Sequence, residues 1–389
     1  MQPNLFAIII FWLGVLSIVY VYFGYPLLVW LVRNFRPRPW IRKSMLPTVS
    51  IVIAARNEEK HIRGKIENTF AIDYPSEKLE IIVVSDFSTD NTDLIVKSFS
   101  DRGVKLVRPD RRVGKTEAQN LGVEEAEGEI ILFSDATTKY PPNVIEQIVP
   151  NFADNTIGCV GGKLTYQDPN RTTVGRGASD YWNYETNLKV NESLAGSLIG
   201  VSGCLYAVRR TAYKQMYPEA CSDFLIATIM QRQGLRTVFE PRAVCHEETN
   251  VRVDQELRMR TRIAAQTLSD LWLNFDMMNP FKSGFYAVSL ISHKLLRYVT
   301  PYIFLVVYLA NIVLAFNSAF YAVTLLLQTA FWLIGFVGLI VYWRSSKRSI
   351  FSYPAYFALI TVASIAGFLK FIVGEKFEKW EPTREQTSD

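Results

Sequence analysis

The sequence predicts an α/β protein, a body over residues 46–280 built on a mostly parallel sheet, with membrane helices on both sides of it. Three observations predict this. Within the body, short apolar runs alternate with helix-patterned stretches, as strands joined by crossover helices do. Residues 1–32, 298–343 and 349–369 carry no charge at all, and uncharged apolar runs of about 18 residues or more read as membrane helices. Basic residues crowd beside those runs: Arg33, Arg36, Arg38, Arg42 and Lys43 after the first, Lys282, Lys294 and Arg297 before the second, Arg344, Lys347 and Arg348 in a later loop. Anionic headgroups favour cations there, and the bias sets orientation. The 389-residue chain is +5 overall, yet its body is net acidic, which excludes a nucleic-acid footprint.

The elements follow in order. The first helix is expected from Leu5 to about Val32. Its basic cluster follows rather than precedes it, which describes an uncleaved anchor with residue 33 onward in the cytoplasm. Residues 1–45 thus form an anchor and a basic linker containing Pro37 and Pro39. In the body, Val49–Ala55, Leu79–Ser85, Val104–Val107 and Glu129–Ser134 read as strands. Glu59–Phe70, Thr89–Asp101 and Lys115–Ala126 read as helices, the second capped around Thr89 and Asp90. Residues 281–298 are apolar with spaced basic residues, the pattern of an amphipathic helix in the headgroup layer. Spans are expected over 299–317, 319–343 and 352–373, followed by a charged tail, 374–389. Whether 352–373 crosses fully is left open by the sequence.

Cys159, Cys204, Cys221 and Cys245 show no CxxC spacing. They predict reduced thiols, neither a disulfide framework nor a zinc site. Gly114-Lys115-Thr116 resembles the end of a phosphate-binding P-loop, but Pro109 stands where that motif needs glycine, and the segment does not follow the first strand. A Gly-Lys at a helix start still suits an anionic phosphate. No GxGxxG occurs, so a dinucleotide-dependent oxidoreductase is unsupported.

In open α/β sheets, ligands bind outside the carboxyl ends of the strands. After the first strand comes Arg56-Asn57-Glu58, after the second Asp86-Phe87-Ser88, after the fourth Asp135-Ala136-Thr137. Each delivers a carboxylate to the same edge. Ser88, Thr89 and Asp90 fit capping and turn roles, whereas Asp86 and Asp135 sit directly at strand ends and read as ligand contacts.

The stretches VSIVIAARNEE (49–59), EIIVVSDFSTDNT (80–92), GKTEAQNLGVEEAEGEIILFSDATT (114–138), SGCLYAVRR (202–210), SDFLIATIMQRQGLRTVFEPRA (222–243) and ELRMRTR (256–262) together resemble the inverting family 2 glycosyltransferases of GT-A fold. The flanking helices resemble the hyaluronan, poly-N-acetylglucosamine and cellulose synthase-like branch. The resemblance implies a membrane glycosyltransferase with a nucleotide-sugar donor, most simply a UDP-sugar. Its acceptor would be a growing polysaccharide or a lipid-linked glycan at the cytoplasmic face of the cell membrane. It places Asp86, Arg56 and Glu58 in the nucleoside pocket and Lys115 near the base or phosphates. Asp135 begins the DxD motif that holds nucleotide and a divalent metal, Mg²⁺ or Mn²⁺. Asp223 matches the catalytic base, and Arg262 matches the Arg of QxxRW, which meets the pyrophosphate.

Two motifs depart from the pattern. Thr137 stands at the second carboxylate of DxD, and hard cations prefer carboxylates; His246 is a further candidate ligand. Around Arg262, Met259 and Ile263 replace Gln and Trp, which favours addition of one sugar to a lipid carrier over long processive synthesis. Arg258 and Arg260 read equally as a lipid-phosphate contact or a solvated helix face, and Asp180-Tyr181-Trp182-Asn183-Tyr184 as an acceptor platform or a packed helix. A non-catalytic subunit of a synthase complex is the reading from another class. Four spans are few for a channel, so an oligomer or separate exporter is an expected partner for secretion.

Overall fold

The computed structural model describes residues 4–167, 173–248, 253–344 and 352–377. The chain divides into two compact units. The first, the body, comprises residues 33–167, 182–248 and the chain from 376 onward. The second comprises the N-terminal helix, residues 168–181 and residues 249–375.

The body is built on a seven-stranded sheet: β1 (Val49–Ala55), β2 (Leu79–Ser85), β3 (Val104–Val107), β4 (Ile130–Asp135), β5 (Ile157–Gln167), β6 (Tyr206–Arg209) and β7 (Arg236–Glu248), in the order β3-β2-β1-β4-β6-β5-β7. β1, β2, β3 and β4 pair in parallel, β6 runs antiparallel to β4 and β5, and β5 pairs with β7 in parallel. One reversed strand therefore interrupts an otherwise parallel sheet, and it falls beside β4. Every residue of β1 is buried, which requires cover on both faces. Ile51 and Ile53 face a core shared with Ile62, Ile66 and Phe152; Val52 and Ala54 face one shared with Ala118, Phe133 and Tyr206.

Named in chain order, the helices are α1 (Leu5–Phe35), α2 (Ile62–Phe70), α3 (Thr92–Lys97), α4 (Lys115–Glu124), α5 (Val144–Ile148), α6 (Thr173–Ala195), α7 (Ser222–Arg232), α8 (Val253–Leu273), α9 (Pro280–Ser283), α10 (Phe285–Leu314), α11 (Ala319–Arg344) and α12 (Ser352–Val373). α3 starts later and stops sooner than its sequence pattern suggests. Asp90 Oδ1 accepts from Thr92 N at 3.0 Å and from Thr92 Oγ1 at 2.6 Å, which makes the residues before Thr92 a turn. α4 lies close to the sheet: a Cβ on Gly122 would meet Val52 Cγ1 at 2.4 Å.

In the second unit, α1, α10, α11 and α12 include stretches long and apolar enough to cross a membrane. α1 and α10 pack antiparallel through Ala7, Phe11, Val307, Ala310 and Leu314. Each contains a π-helical segment, Tyr20–Gly24 and Leu290–Leu295, and the two meet where Tyr20 Oη and Ser292 Oγ lie 2.8 Å apart. Within the expected segment 281–298, α9 ends at Ser283 and α10 begins at Phe285 and runs on to Leu314, with His293, Lys294, Arg297 and Pro301 inside it. α8, which precedes the expected body limit of 280, falls in the unit that holds the apolar helices.

Candidate active site

The sheet register builds the site. Ala54 pairs with Asp135 and Ala55 with Ser85, so the chain leaves β1, β2 and β4 at one edge. Arg56, Asp86 and the Asp135–Thr137 turn start there.

Asp86 is 1% exposed, and its carboxylate accepts from the backbone N–H groups of Val113, at 2.6 Å, and Gly114, at 3.1 Å. These bonds fix the loop that opens α4 and thereby place Lys115. Gly114 holds φ at +90°, which suits glycine. Arg56 Nη1 donates to the carbonyls of Asp86, at 2.7 Å, and Phe87, at 3.0 Å. Asn57 and Phe87 adopt positive φ, 51° and 52°, a costly conformation for a bulky side chain. The Arg56 bonds and the bond from Thr89 N to Asn57 Oδ1, at 2.9 Å, hold it. Phe87 remains exposed at the edge, with the Arg108 guanidinium 5.2 Å from its ring. Glu58 is buried and engages His61 Nδ1 at 2.8 Å, while its carbonyl accepts from the N–H groups of His61 and Ile62 at the start of α2. Its contacts are those of a loop anchor.

Lys115 Nζ pairs with Asp135 Oδ1 at 2.5 Å. Burial alone would lower the Lys115 pKa, but Asp135 and Asp223 outweigh it and raise the ammonium above its ordinary range. Asp223 stands in the first turn of α7, where the helix dipole favours an anion. Cys221 Sγ donates to its Oδ1 at 3.0 Å. A Cβ built on Gly203 would lie 3.3 Å from Asp223 Oδ2 and 3.5 Å from Lys115 Nζ, so both charged ends flank Gly203. Thr116 Oγ1 donates to Ala220 O at 2.7 Å and Asn120 Nδ2 to Met216 O at 2.8 Å, tying α4 to the segment that leads into Asp223.

Thr137 Oγ1 donates to Glu247 Oε1 at 3.3 Å. Backbone bonds in both directions between Lys139 and His246, each 2.9 Å, bring the end of β7 to this turn. His246 Nδ1 is buried and makes no hydrogen bond. Among the described residues no group of three His, Cys, Asp or Glu side chains forms a cage for a metal ion.

Sequence reasoning missed Lys65, Tyr140 and Gly203. Lys65 on α2 is buried, donates to Thr138 O at 2.9 Å and sits 3.6 Å over the Tyr140 ring. Burial pulls its pKa down to about 7, with Cys245, Asp135 and Cys204 opposing the fall. Tyr140 Oη donates to Cys204 O at 2.7 Å, next to Gly203. The available signal for Lys65 was helical spacing: it lies on the face of Ile62, Ile66 and Thr69, all buried.

The body therefore brings together Arg56, Asp86, Lys115, Asp135 and Asp223. Arg262 lies on α8, in the other unit. Of the expected platform or packed helix over 180–184, the side chains of Asp180, Tyr181, Trp182 and Asn183 lie outside the described residues.

A family model described as glycosyl transferase family 2 matches residues 50–217, which take in β1 from its second residue through β6, with Arg56, Asp86, Lys115 and Asp135 but not Asp223 or Arg262. Residues 50–217, less than half of the chain, thus match a family 2 glycosyltransferase domain. Among curated relatives, a glycosyltransferase AglE of Haloferax volcanii is 29% identical over 154 residues, 39% of this chain and 49% of that protein. A poly-beta-1,6-N-acetyl-D-glucosamine synthase of Staphylococcus aureus is 25% identical over 218 residues, 54% and 52% of the two chains. These matches span about half the length of either relative. A solved mannosyltransferase of Pyrobaculum calidifontis, in complex with GDP-Man and Mn²⁺, covers 94% of this chain and is covered completely, with a TM-score of 0.71 at 23% identity. That likeness shows the fold of the glycosyltransferase domain as GT-A.

Proposed function

We propose that this membrane glycosyltransferase transfers a sugar, with inversion, from a nucleotide-sugar, in the first instance a UDP-sugar. The acceptor is a lipid-linked glycan or growing polysaccharide at the cytoplasmic face. The observation that carries the reading is the convergence of Lys115, Asp135 and Asp223 around Gly203. A displacement at the anomeric carbon needs a base for the acceptor hydroxyl and cations for the departing diphosphate.

Asp223 Oδ2, beside Gly203, takes the acceptor proton as its oxygen attacks the face opposite the leaving group. Lys115 meets the diphosphate, and Asp86 and Arg56 bound the nucleoside pocket, with Glu58 anchoring the loop beside Arg56; Arg262 keeps the pyrophosphate role that the family resemblance implies. Lys115 and Arg56 oppose Asp135, Asp86 and Asp223, so these five groups sum to one negative charge, and an incoming diphosphate needs further cations. Asp135, with the donor phosphates and water, suits a divalent metal, because Mg²⁺-type sites take one or two carboxylates plus substrate phosphates. When bound, that ion supplies positive charge to the leaving group. Met259 and Ile263 in place of Gln and Trp favour single transfer to a lipid carrier.

The test is nucleotide release by the purified full chain in detergent, across UDP-sugars and GDP-mannose, with Mn²⁺ or Mg²⁺, with and without membrane lipid. Release with one donor names the sugar, and a lipid requirement favours the single-transfer form. Asp223→Asn should abolish release while keeping nucleotide binding. Absence of both release and binding with every donor overturns the reading in favour of a non-catalytic subunit.

A further inference from the structure

The tail restricts how many times the chain crosses a bilayer. Lys376 Nζ lies 2.6 Å from a carboxylate oxygen of Glu219. Two side chains in contact occupy one face of a membrane, so an even number of crossings separates them. Among the described residues between Glu219 and Lys376 stand three apolar stretches of spanning length, Phe285–Leu314, Ala319–Val341 and Pro354–Val373. Three is odd, so the three do not all cross.

Packing identifies the exception. α10 and α11 are joined by residues 315–318 and run antiparallel: Tyr308 meets Thr329 at 3.0 Å and Asn311 meets Thr324 at 3.1 Å. A hairpin of this kind crosses twice or not at all. α12 runs across α10 rather than along it. Phe357 reaches Phe304 at 5.4 Å between ring centroids, and Phe368 reaches Tyr302 at 5.0 Å. Eleven residues of α12, about 16 Å of helix, thus pass a two-residue step of α10, about 3 Å.

The N-terminal end of α12 also meets α11, where a Cβ on Gly335 would lie 3.0 Å from Pro354 O, and its remaining neighbour, α8, is unsuited to hydrocarbon. α8 carries Asp254, Glu256, Arg258, Arg260, Arg262 and Asp270, and charged groups at the bilayer centre are costly. α12 packs directly on it: Arg260 Nη2 donates to Tyr356 Oη at 3.0 Å, and a Cβ on Gly367 would meet Ala264 Cβ at 2.6 Å and Thr261 O at 2.8 Å. A helix pressed against a charged amphipathic helix and transverse to a spanning one belongs at the boundary of headgroups and acyl chains.

We propose that α12 lies in the plane of the membrane interface without crossing it. The chain then crosses three times, through α1, α10 and α11, and the segment after α12 stays on the same side as the glycosyltransferase body. This inference rests on no reading of the catalytic site.

The test is labelling of the full chain in sealed vesicles of known orientation with a membrane-impermeant maleimide. Ser388→Cys reports the tail, Ser100→Cys the body and Ser318→Cys the α10–α11 turn, with the parent chain as background for its native thiols. Ser388→Cys is expected to react from the side that labels Ser100→Cys, with Ser318→Cys reacting from the other. Labelling of Ser388→Cys from the Ser318→Cys side overturns the proposal. A protease-cleavable tag after Asp389 gives a second reading independent of thiol access. Clipping from the body's side supports an interfacial α12, and clipping from the opposite side refutes it.

Discussion

Replacing Lys65 by Met should stabilise the protein at mildly acidic pH and impair its turnover. Burial holds the Lys65 pKa at about 7 against an ordinary 10.5. A base with a depressed folded pKa binds fewer protons folded than unfolded between those two values, so its contribution to stability rises with pH there. Below pH 7 both states are protonated, and the folded state bears the full cost of a buried ammonium. Each pH unit above 7 recovers about 1.4 kcal/mol, so from pH 6 to pH 9 wild type should gain about 3 kcal/mol from this group. For a body of this size that corresponds to roughly 6–12 °C in thermal midpoint. Lys65→Met keeps the apolar stem and has no such rise. Its neighbour Cys245 is pushed up by the Cys204 hydrogen bond and burial, so that thiol stays neutral through the window. The midpoint of Lys65→Met minus that of wild type, measured by intrinsic fluorescence in detergent, should be positive at pH 6 and shrink toward pH 9. Turnover should fall because Thr138 O loses the ammonium that holds the turn after Asp135. A midpoint difference that stays constant from pH 6 to pH 9 would refute the argument.

Asp86→Ala leaves the Val113 and Gly114 N–H groups without their buried acceptor. It should cost about 2–4 kcal/mol of stability and weaken nucleotide binding by titration calorimetry, with Asp86→Asn milder on both counts. Gly203→Ala inserts a methyl 3.3 Å from Asp223 Oδ2. Its thermal midpoint should change little while nucleotide release falls at least about tenfold, since ångström-scale misplacement of reacting groups costs up to about 10²-fold. Thr137→Asp replaces a hydroxyl that donates to Glu247 by a second carboxylate. Without metal the like charges should lower the thermal midpoint, and Mn²⁺ with nucleotide should restore it more than in wild type.

Four strands and their polar ends were legible because apolar runs such as Val49–Ala55 and Leu79–Ser85 match the described strands at both bounds. The fold class followed from their alternation with helices. β5, β6 and β7 were not placed from sequence: β5 contains Gly158, Gly161 and Gly162, which read as breakers, yet Gly162 is where Leu205 Cδ2 approaches within 2.4 Å of a would-be Cβ. Such glycines serve tertiary contact, which one-dimensional periodicity does not report. The carboxylates at strand ends were legible for the same topological reason as the strands. Lys65 was not, because a lysine on an apolar helix face reads as an error in the pattern until its acceptor, Thr138 O, arrives from 73 residues away. The basic residues of 281–298 suggest a helix boundary in sequence; in the structure His293, Lys294 and Arg297 lie within α10, where long cationic side chains can reach an interface without a break in the helix.

The distribution of costly features bears on whether the body is an enzyme or a scaffold. Asp86 is buried behind two backbone donors, Lys65 is buried with a depressed pKa, and Phe87 holds φ at +52°. Each lowers the stability of the folded body or demands a compensating bond, and all three gather at the carboxyl edge of β1, β2 and β4. A subunit selected only to pack and to support a partner gains nothing from them, since an apolar residue at 65 and a glycine at 87 would relieve the strain at no loss of core. Strain of this kind persists where surrounding structure over-determines it and a ligand uses the result. Here the strained turn exposes Phe87, Asp86 aims the loop that carries Lys115, and Lys65 secures the turn that carries Asp135. The turns that carry the groups proposed to meet nucleotide and phosphates are thus held in part by Lys65 and Phe87, features that stability alone would remove, which is the physical case for catalysis over scaffolding.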